Sequence, residues 1–306
     1  METCRMIKAK APCRISICGG SSDLSFYWRR NGGFLVTATI DQYVTVEIQP
    51  DNRIDTSPQH PYATAAGWGS RDLVLIESSV APGSGLGGSS SLMVALLRAR
   101  YPDLPVHELA MAAYHAERFG QIEAPVGYQD AFAAAFGGVL AMEIDNVGRV
   151  STWHVALPPK FRDHLLLMAT GIQRPSSDVL RKQEAATITS IVSRKAMESI
   201  AQLGHEIYAD IRDNQGCEFG PLLDRHWQYK RAVASSMSSP VIDAWYDLAK
   251  GHGASGAKLI GAGGSGGYLL FVVEPSNRQH LVDTMIEAGL TEMPFKFTDK
   301  GAEIIP

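Results

Sequence analysis

The chain reads as an α+β protein in two parts, and three observations carry that expectation. Alternating, β-branched segments such as 7–17 and 34–49 are interleaved with helical stretches, but no regular βαβ unit repeats. The 306 residues suit two domains, or one large one, at about 150 residues per domain. The chain changes character around Leu157-Pro158-Pro159-Lys160. The boundary is therefore set there, giving an N-terminal domain over 1–158 and a C-terminal domain over 159–306.

In order, Thr37, Thr39, Val44, Val46 and Ile48 mark the second strand, and 23–30 form a short helix after a Gly-Gly-Ser-Ser turn. A strand at 73–78 runs into a glycine- and serine-rich segment, with a helix over 92–100 beyond it. Helix 107–119 places Leu109, Ala113 and Ala116 on one face. A small-residue helix at 129–136 stops at Gly137-Gly138, and 139–144 returns as a strand. The second half starts with a strand at 165–169. One long helical pattern over 177–213 follows, then helices at 221–235 and 240–250. Strands at 257–260 and 268–273, a helix at 277–288 and a last strand at 294–297 complete it.

Composition excludes several function classes. Hydrophobic residues are 45% and charged residues 20%, which suits a folded globular chain and not a disordered one. The formal net charge of -4 argues against non-specific nucleic-acid binding, which needs basic residues to neutralise phosphates. Cys4, Cys13, Cys18 and Cys217 lack paired metal-ligand spacing and read as free thiols. No apolar run is long enough to span a bilayer and the first residues have no leader character, so a cytoplasmic protein is expected. Oligomeric state is not legible, and a homo-oligomer stays open.

The strongest motif is 82–91, Pro82-Gly83-Ser84-Gly85-Leu86-Gly87-Gly88-Ser89-Ser90-Ser91, between a strand and an apolar helix. Glycines let backbone approach a ligand, and a helix start offers unpaired N–H groups and a positive dipole end to phosphate. A plain turn with serine helix caps is the bland alternative. The spacing of Gly83 and Gly88 is that of a Walker loop, but Ser89 stands where the lysine should be. Gly83, Gly85 and Gly88 also spell G-x-G-x-x-G, with Asp103 twenty residues on. Asp103 lies in a proline-bounded turn instead of at a strand end, which disfavours a dinucleotide fold. A second run, Gly261-Ala262-Gly263-Gly264-Ser265-Gly266-Gly267, sits between two strands and implies close packing against backbone or ligand. Glu117 and Asp130 become candidates beside a phosphate loop, one for Mg²⁺ and one for accepting a hydroxyl proton. Arg14, with Asp23 after Gly19-Gly20-Ser21-Ser22, suits phosphate oxygens and sugar hydroxyls.

Taken together, Ala11-Pro12-Cys13-Arg14 through Asp23, the 82–91 loop and Lys258-Leu259-Ile260-Gly261 through Gly267 resemble the motifs of the GHMP kinases. Within that family the chain is most similar to the heptose 7-phosphate kinases, through 14–23, 84–91 and the segment Thr170-Gly171-Ile172-Gln173-Arg174 leading to Gln183. The resemblance implies a two-domain GHMP-kinase-like fold with ATP and substrate in the interdomain cleft. Pro82, Gly83, Ser84, Gly85, Leu86, Gly87, Gly88, Ser89 and Ser90 would hold the ATP phosphates, and Ser89 with Glu117 the Mg²⁺. Asp130 would be the catalytic acid–base, helped by Arg14. Ser22, Asp23, Arg174, Gly263 and Gly264 would bind substrate. Arg181, Lys182, Arg29 and Arg30 are further candidates for a distal phosphate.

The implied reaction moves phosphate from ATP to the anomeric hydroxyl of a sugar phosphate, D-glycero-D-manno-heptose 7-phosphate in the first instance. The same chemistry on fucose, a uronic acid or another heptose is the near alternative, and a non-catalytic nucleotide-binding relative the far one. Residues 57–72 are short for the helix expected there in heptose kinases, so adenine or sugar contacts would differ.

Overall fold

The structure is a computed structural model, and it describes residues 6–50, 60–69, 71–173, 176–213, 215–264 and 266–306. The chain begins with β1 (Ile7–Cys18), α1 (Ser25–Asn31) and the long β2 (Gly33–Pro50). It continues through α2 (Pro61–Ala65), β3 (Asp72–Ser78), α3 (Gly88–Arg100), α4 (Val106–Arg118) and α5 (Gln129–Phe136), then β4 (Val139–Ile144) and β5 (Val150–His154). After α6 (Pro159–Asp163) come β6 (Leu165–Ala169), α7 (Ser176–Thr189), α8 (Ile191–Asp213), α9 (Phe219–Val233) and α10 (Pro240–Gly251). The remaining elements are β7 (Ala254–Leu259), β8 (Tyr268–Val273), α11 (Arg278–Glu287), β9 (Thr291–Glu292) and β10 (Glu303–Ile305).

Antiparallel pairing gathers these strands into two sheets among the described residues. The first runs β10-β1-β2-β4-β5 with β3 also paired to β2, and the second runs β7-β8-β6-β9. The 18 residues of β2 let it serve two partners on one side: its first part pairs with β4 and its second with β3. Helices α3 and α5 cover the first sheet, and α4 packs on both of them. On α4 the buried stripe Leu109, Ala113 and Glu117 recurs every four residues, so helical geometry carries a carboxylate into the core. The alanines of α5 let it lie close to both α4 and β1.

One apolar core joins residues of both halves, including Ile15, Leu35 and Phe132 with Leu167, Leu203 and Leu223. Helix α8 crosses from the second half onto β1 and β2, where Cys18 Sγ donates to the Gly204 carbonyl at 3.4 Å.

Several elements differ from the sequence expectation. The helical pattern over 177–213 breaks at Ser190 into α7 and α8. A short helix, α2, does form within 57–72, started by Pro61 after His60, whose ring accepts from the Tyr62 N–H. The tail expected as a strand at 294–297 is extended, with one bridge from Phe297 to Ile40. The final strand lies further on, at β10, and pairs with β1 of the first sheet. Tertiary pairing decides this, because 294–297 and 303–305 are both too short to carry a clear strand signal of their own.

Candidate active site

The cleft between the halves holds a cavity of about 830 Å³, and most of the singled-out motifs meet there. Its first wall is the loop before α3. The Ncap of α3 is Gly87, with φ +78°, and no side chain caps the helix. The serines expected as caps turn elsewhere: Ser91 Oγ donates to the Gly87 and Pro12 carbonyls, and Ser90 Oγ donates to Glu117. The first-turn N–H groups of α3 are therefore left for a ligand, which is what a phosphate cradle requires. A Cβ at Gly87 would lie 3.3 Å from Arg14 Cγ and 3.4 Å from Asp130 Cγ, so glycine lets these two side chains reach the loop.

Arg14 and Asp130 form the centre of the floor. Arg14, 4% exposed on β1, donates from Nε and Nη2 to Asp130 Oδ1 at 2.8 and 2.6 Å. Its Nη1 donates to the Gly85 carbonyl at 2.6 Å, and its backbone N–H to the Leu86 carbonyl at 2.9 Å. Asp130 lies in the first turn of α5, where the helix dipole favours a carboxylate. Asp23 lines the same floor; its Oδ2 accepts from the Gln129 N–H at 3.0 Å, and burial raises its pKa.

Glu117 is fully buried behind Ser89 and Tyr62 and does not itself line the cavity. Ser90 Oγ donates to its Oε2 at 2.6 Å and Tyr62 OH to its Oε1 at 3.3 Å. Burial pushes its pKa up to about 7, while the hydrogen bonds of Ser90, Tyr62 and Ser89 pull the other way and Asp130 adds to the rise. No lysine or arginine is paired with it among the described residues. A buried carboxylate beside exposed Ser89, with hydroxyl neighbours and no cation, is an oxygen-only donor set of the kind Mg²⁺ takes with nucleotide phosphates. Among the described residues no three His, Cys, Asp or Glu side chains cluster into a metal cage.

The second glycine run faces the first. A Cβ on Gly261 would lie 2.6 Å from Gly85 Cα, and one on Gly85 would lie 2.6 Å from the Ile260 carbonyl oxygen. The backbone of the first loop is thus one thing that the run packs against.

Not every expected site residue faces the cavity. Ser22 is fully buried and spends its hydroxyl on the Phe34 carbonyl and N–H, at 2.9 and 3.1 Å, while Ser21 lines the cavity instead. Gly263 and Gly264 turn onto Met237, the Gly264 N–H donating to its carbonyl at 2.8 Å, and Gly261 and Ala262 line the cleft. Leu86 is a core side chain, and Ser90 serves Glu117 in place of the cavity. Pro82, Gly83, Ser84, Gly85, Gly87, Gly88 and Ser89 do line it. Arg174 lies outside the described residues. Of the other arginine and lysine candidates, Arg181 lines the cavity and Lys182, Arg29 and Arg30 do not. Ser16, Gln129, His226, Lys230 and Lys258 also line the cavity and were not singled out. Lys258 heads a motif that was recognised, so its position carried a signal; His226 lies in an ordinary amphipathic helix and carried none.

An uncapped helix behind a glycine loop, an arginine–carboxylate pair beside it and a cavity of about 830 Å³ suit a phosphoryl-transfer site. The comparisons agree. Residues 62–138 match the GHMP kinases N terminal domain. The D-glycero-alpha-D-manno-heptose 7-phosphate kinase of Campylobacter jejuni is 26% identical over 340 residues, covering 98% of each chain. A crystal structure described as a D-glycero-D-manno-heptose 1-phosphate kinase from Bacteroides thetaiotaomicron superposes with a TM-score of 0.77 at 23% identity, over 98% of this chain and 99% of that one. The L-fucokinase/L-fucose-1-P guanylyltransferase of Bacteroides fragilis is 26% identical over 76% of this chain, which spans 26% of that longer protein. Residues 62–138 thus match the N-terminal domain of the GHMP kinases, and the chain shares its fold nearly end to end with solved kinases of that kind; these matches support an ATP-dependent kinase. No helix among the described residues is long and apolar enough to cross a membrane.

Proposed function

We propose that this sugar kinase transfers the γ-phosphoryl group of ATP to the anomeric hydroxyl of a sugar phosphate, D-glycero-D-manno-heptose 7-phosphate being the leading acceptor and the 1,7-bisphosphate the product. The observation that carries the reading is the Arg14–Asp130 pair held against the phosphate loop, facing a pocket whose polar groups include Asp23, Ser16 and Gln129. The similarity to the Campylobacter kinase over the full chain supports the choice of acceptor.

In this reading the loop 82–89 and the start of α3 hold the ATP phosphates. Asp130 orients the acceptor hydroxyl and takes its proton as the oxygen attacks the γ-phosphorus and ADP leaves. Arg14 keeps Asp130 in place and offsets charge that develops on the transferred group. Ser89 and Glu117 would hold Mg²⁺, which when bound supplies charge neutralisation between the phosphates. Asp23 accepts from sugar hydroxyls.

The test is ADP release with MgATP across D-glycero-D-manno-heptose 7-phosphate, sedoheptulose 7-phosphate, mannose 6-phosphate, fucose, galactose and homoserine. Turnover confined to the heptose phosphate is expected. Preference for fucose, the acceptor named for the Bacteroides fragilis relative, would keep the kinase and replace the sugar. Silence with ATP still bound would point to a binding-only protein.

A further inference from the structure

The wall of the cavity formed by α9 and β7 carries charged and polar groups that the phosphoryl-transfer chemistry does not use. His226 and Lys230 lie one helical turn apart on α9, and Lys258 lies on β7, the strand against which α9 packs. All three line the cavity, and all three side chains are deeply buried. His226 is 1% exposed, and neither of its ring nitrogens has a hydrogen-bond partner among the described residues. Lys258, 2% exposed, donates to the Ile17 carbonyl at 3.0 Å and has no carboxylate partner among the described residues. Lys230 donates to the Gly261 carbonyl.

Buried cations and unpaired imidazoles are costly, and folded proteins keep them where a ligand completes the set. The position is informative. Ile17 is three residues beyond Arg14 along β1, about 10 Å at roughly 3.3 Å per residue. That spacing is commensurate with the reach of a seven-carbon sugar phosphate whose anomeric hydroxyl sits at Asp130.

We infer that Lys258 and His226, flanked by Lys230, form the subsite for the distal phosphate of the acceptor. This rests on the reading of the chain as a sugar phosphate kinase. The neutral imidazole gives one N–H to a phosphate oxygen and Lys258 gives charge, so the phosphate is read from inside the cleft and not by an exposed arginine. Burial lowers the Lys258 pKa to about 7, with the Arg14 charge acting in the same direction and the Cys18 thiol opposing it. Burial and the two lysines also hold His226 neutral. A phosphate dianion would return Lys258 to its charged form.

Titration calorimetry on the intact protein tests this with D-glycero-D-manno-heptose 7-phosphate, the unphosphorylated heptose and MgATP. Wild type should bind the phosphorylated sugar at least about tenfold more tightly than the heptose. At pH 8, in buffers of differing protonation enthalpy, it should take up about one proton with the sugar phosphate and none with the heptose. Lys258→Met should erase both the preference and the proton uptake while leaving MgATP affinity within about threefold. His226→Leu, which replaces an unpaired polar ring by an apolar side chain, should reduce the preference without weakening the heptose itself. Equal loss for both sugars, loss of ATP affinity instead, or no proton uptake by wild type would overturn the assignment. Preferential binding of the sugar phosphate without turnover would leave the subsite standing and remove the kinase assignment. Turnover of both sugars with equal KM would do the reverse.

Discussion

Asp130 and Glu117 are both carboxylates near one phosphate loop, yet their surroundings separate their roles. Asp130 touches the cavity and two arginine nitrogens; Glu117 touches only hydroxyls and is sealed from water. Asp130→Asn keeps the shape and removes the proton acceptor, so kcat should fall at least about a hundredfold while ATP affinity stays within a few-fold. Single-turnover assays beside equilibrium ATP binding check this, and near wild-type turnover would take Asp130 out of the chemistry. Glu117 predicts a pH signature. With a folded pKa of about 7 against an ordinary 4.5, the folded protein holds more protons than the unfolded chain between those values. Glu117 therefore costs stability progressively as pH rises from about 4.5 through about 7. The full cost is on the order of 3 kcal/mol at about 1.4 kcal/mol per pH unit. Ligand-free Glu117→Gln should melt above wild type at pH 8, with the gap closing by pH 5; a constant gap would contradict the burial argument.

At the scale of elements, the two glycine loops matter because they meet backbone to backbone. Gly261 has φ +81° and a Cβ there would collide with Gly85 Cα, so Gly261→Ala combines a strained conformation with a clash that no rotamer relieves. It should cost about 1–3 kcal/mol of stability and raise KM for ATP by pushing apart the two loops, the first held by Arg14 through Gly85 and the second by Lys230 through Gly261. Gly251, at the end of α10, has open space around its Cβ position. Gly251→Ala should leave both quantities unchanged or raise stability by about 0.4–1 kcal/mol. Thermal melts and ATP titrations of the pair check the contrast.

On the scale of the whole molecule, the halves are not independent. A single apolar core runs through both, α8 leans on β1 and β2, and the C-terminal strand β10 returns to the first sheet. Calorimetry should accordingly show one cooperative unfolding transition. Saturating nucleotide should raise it, since a ligand at a hundred times its Kd adds about 2.7 kcal/mol. Two separated transitions, with only one responding to ATP, would show that the halves unfold apart.

Local patterns made much of this legible. The 82–91 loop and most helices could be read because glycine punctuation and 3.6-residue periodicity are properties of short stretches, whereas Arg14, Asp23 and Asp130 stood out through the motif resemblance. The same stretches did not reveal that Ser90 serves Glu117 while Ser89 faces the cavity, since adjacent residues on a helix start point to different sides. Nor could they show that Ser22 turns inward and Ser21 outward. The tail strand was misplaced because a short strand is chosen by its partner, here β1. His226 and Lys258 are 32 residues apart in the chain, and packing of α9 on β7 alone brings them to one wall. The sequence by itself determined the glycine loop and the fold class, because these rest on local patterns, and Arg14 and Asp130 were given their roles by resemblance. The tertiary structure decided which hydroxyls and cations face the ligand, because that depends on contacts between segments far apart in the chain.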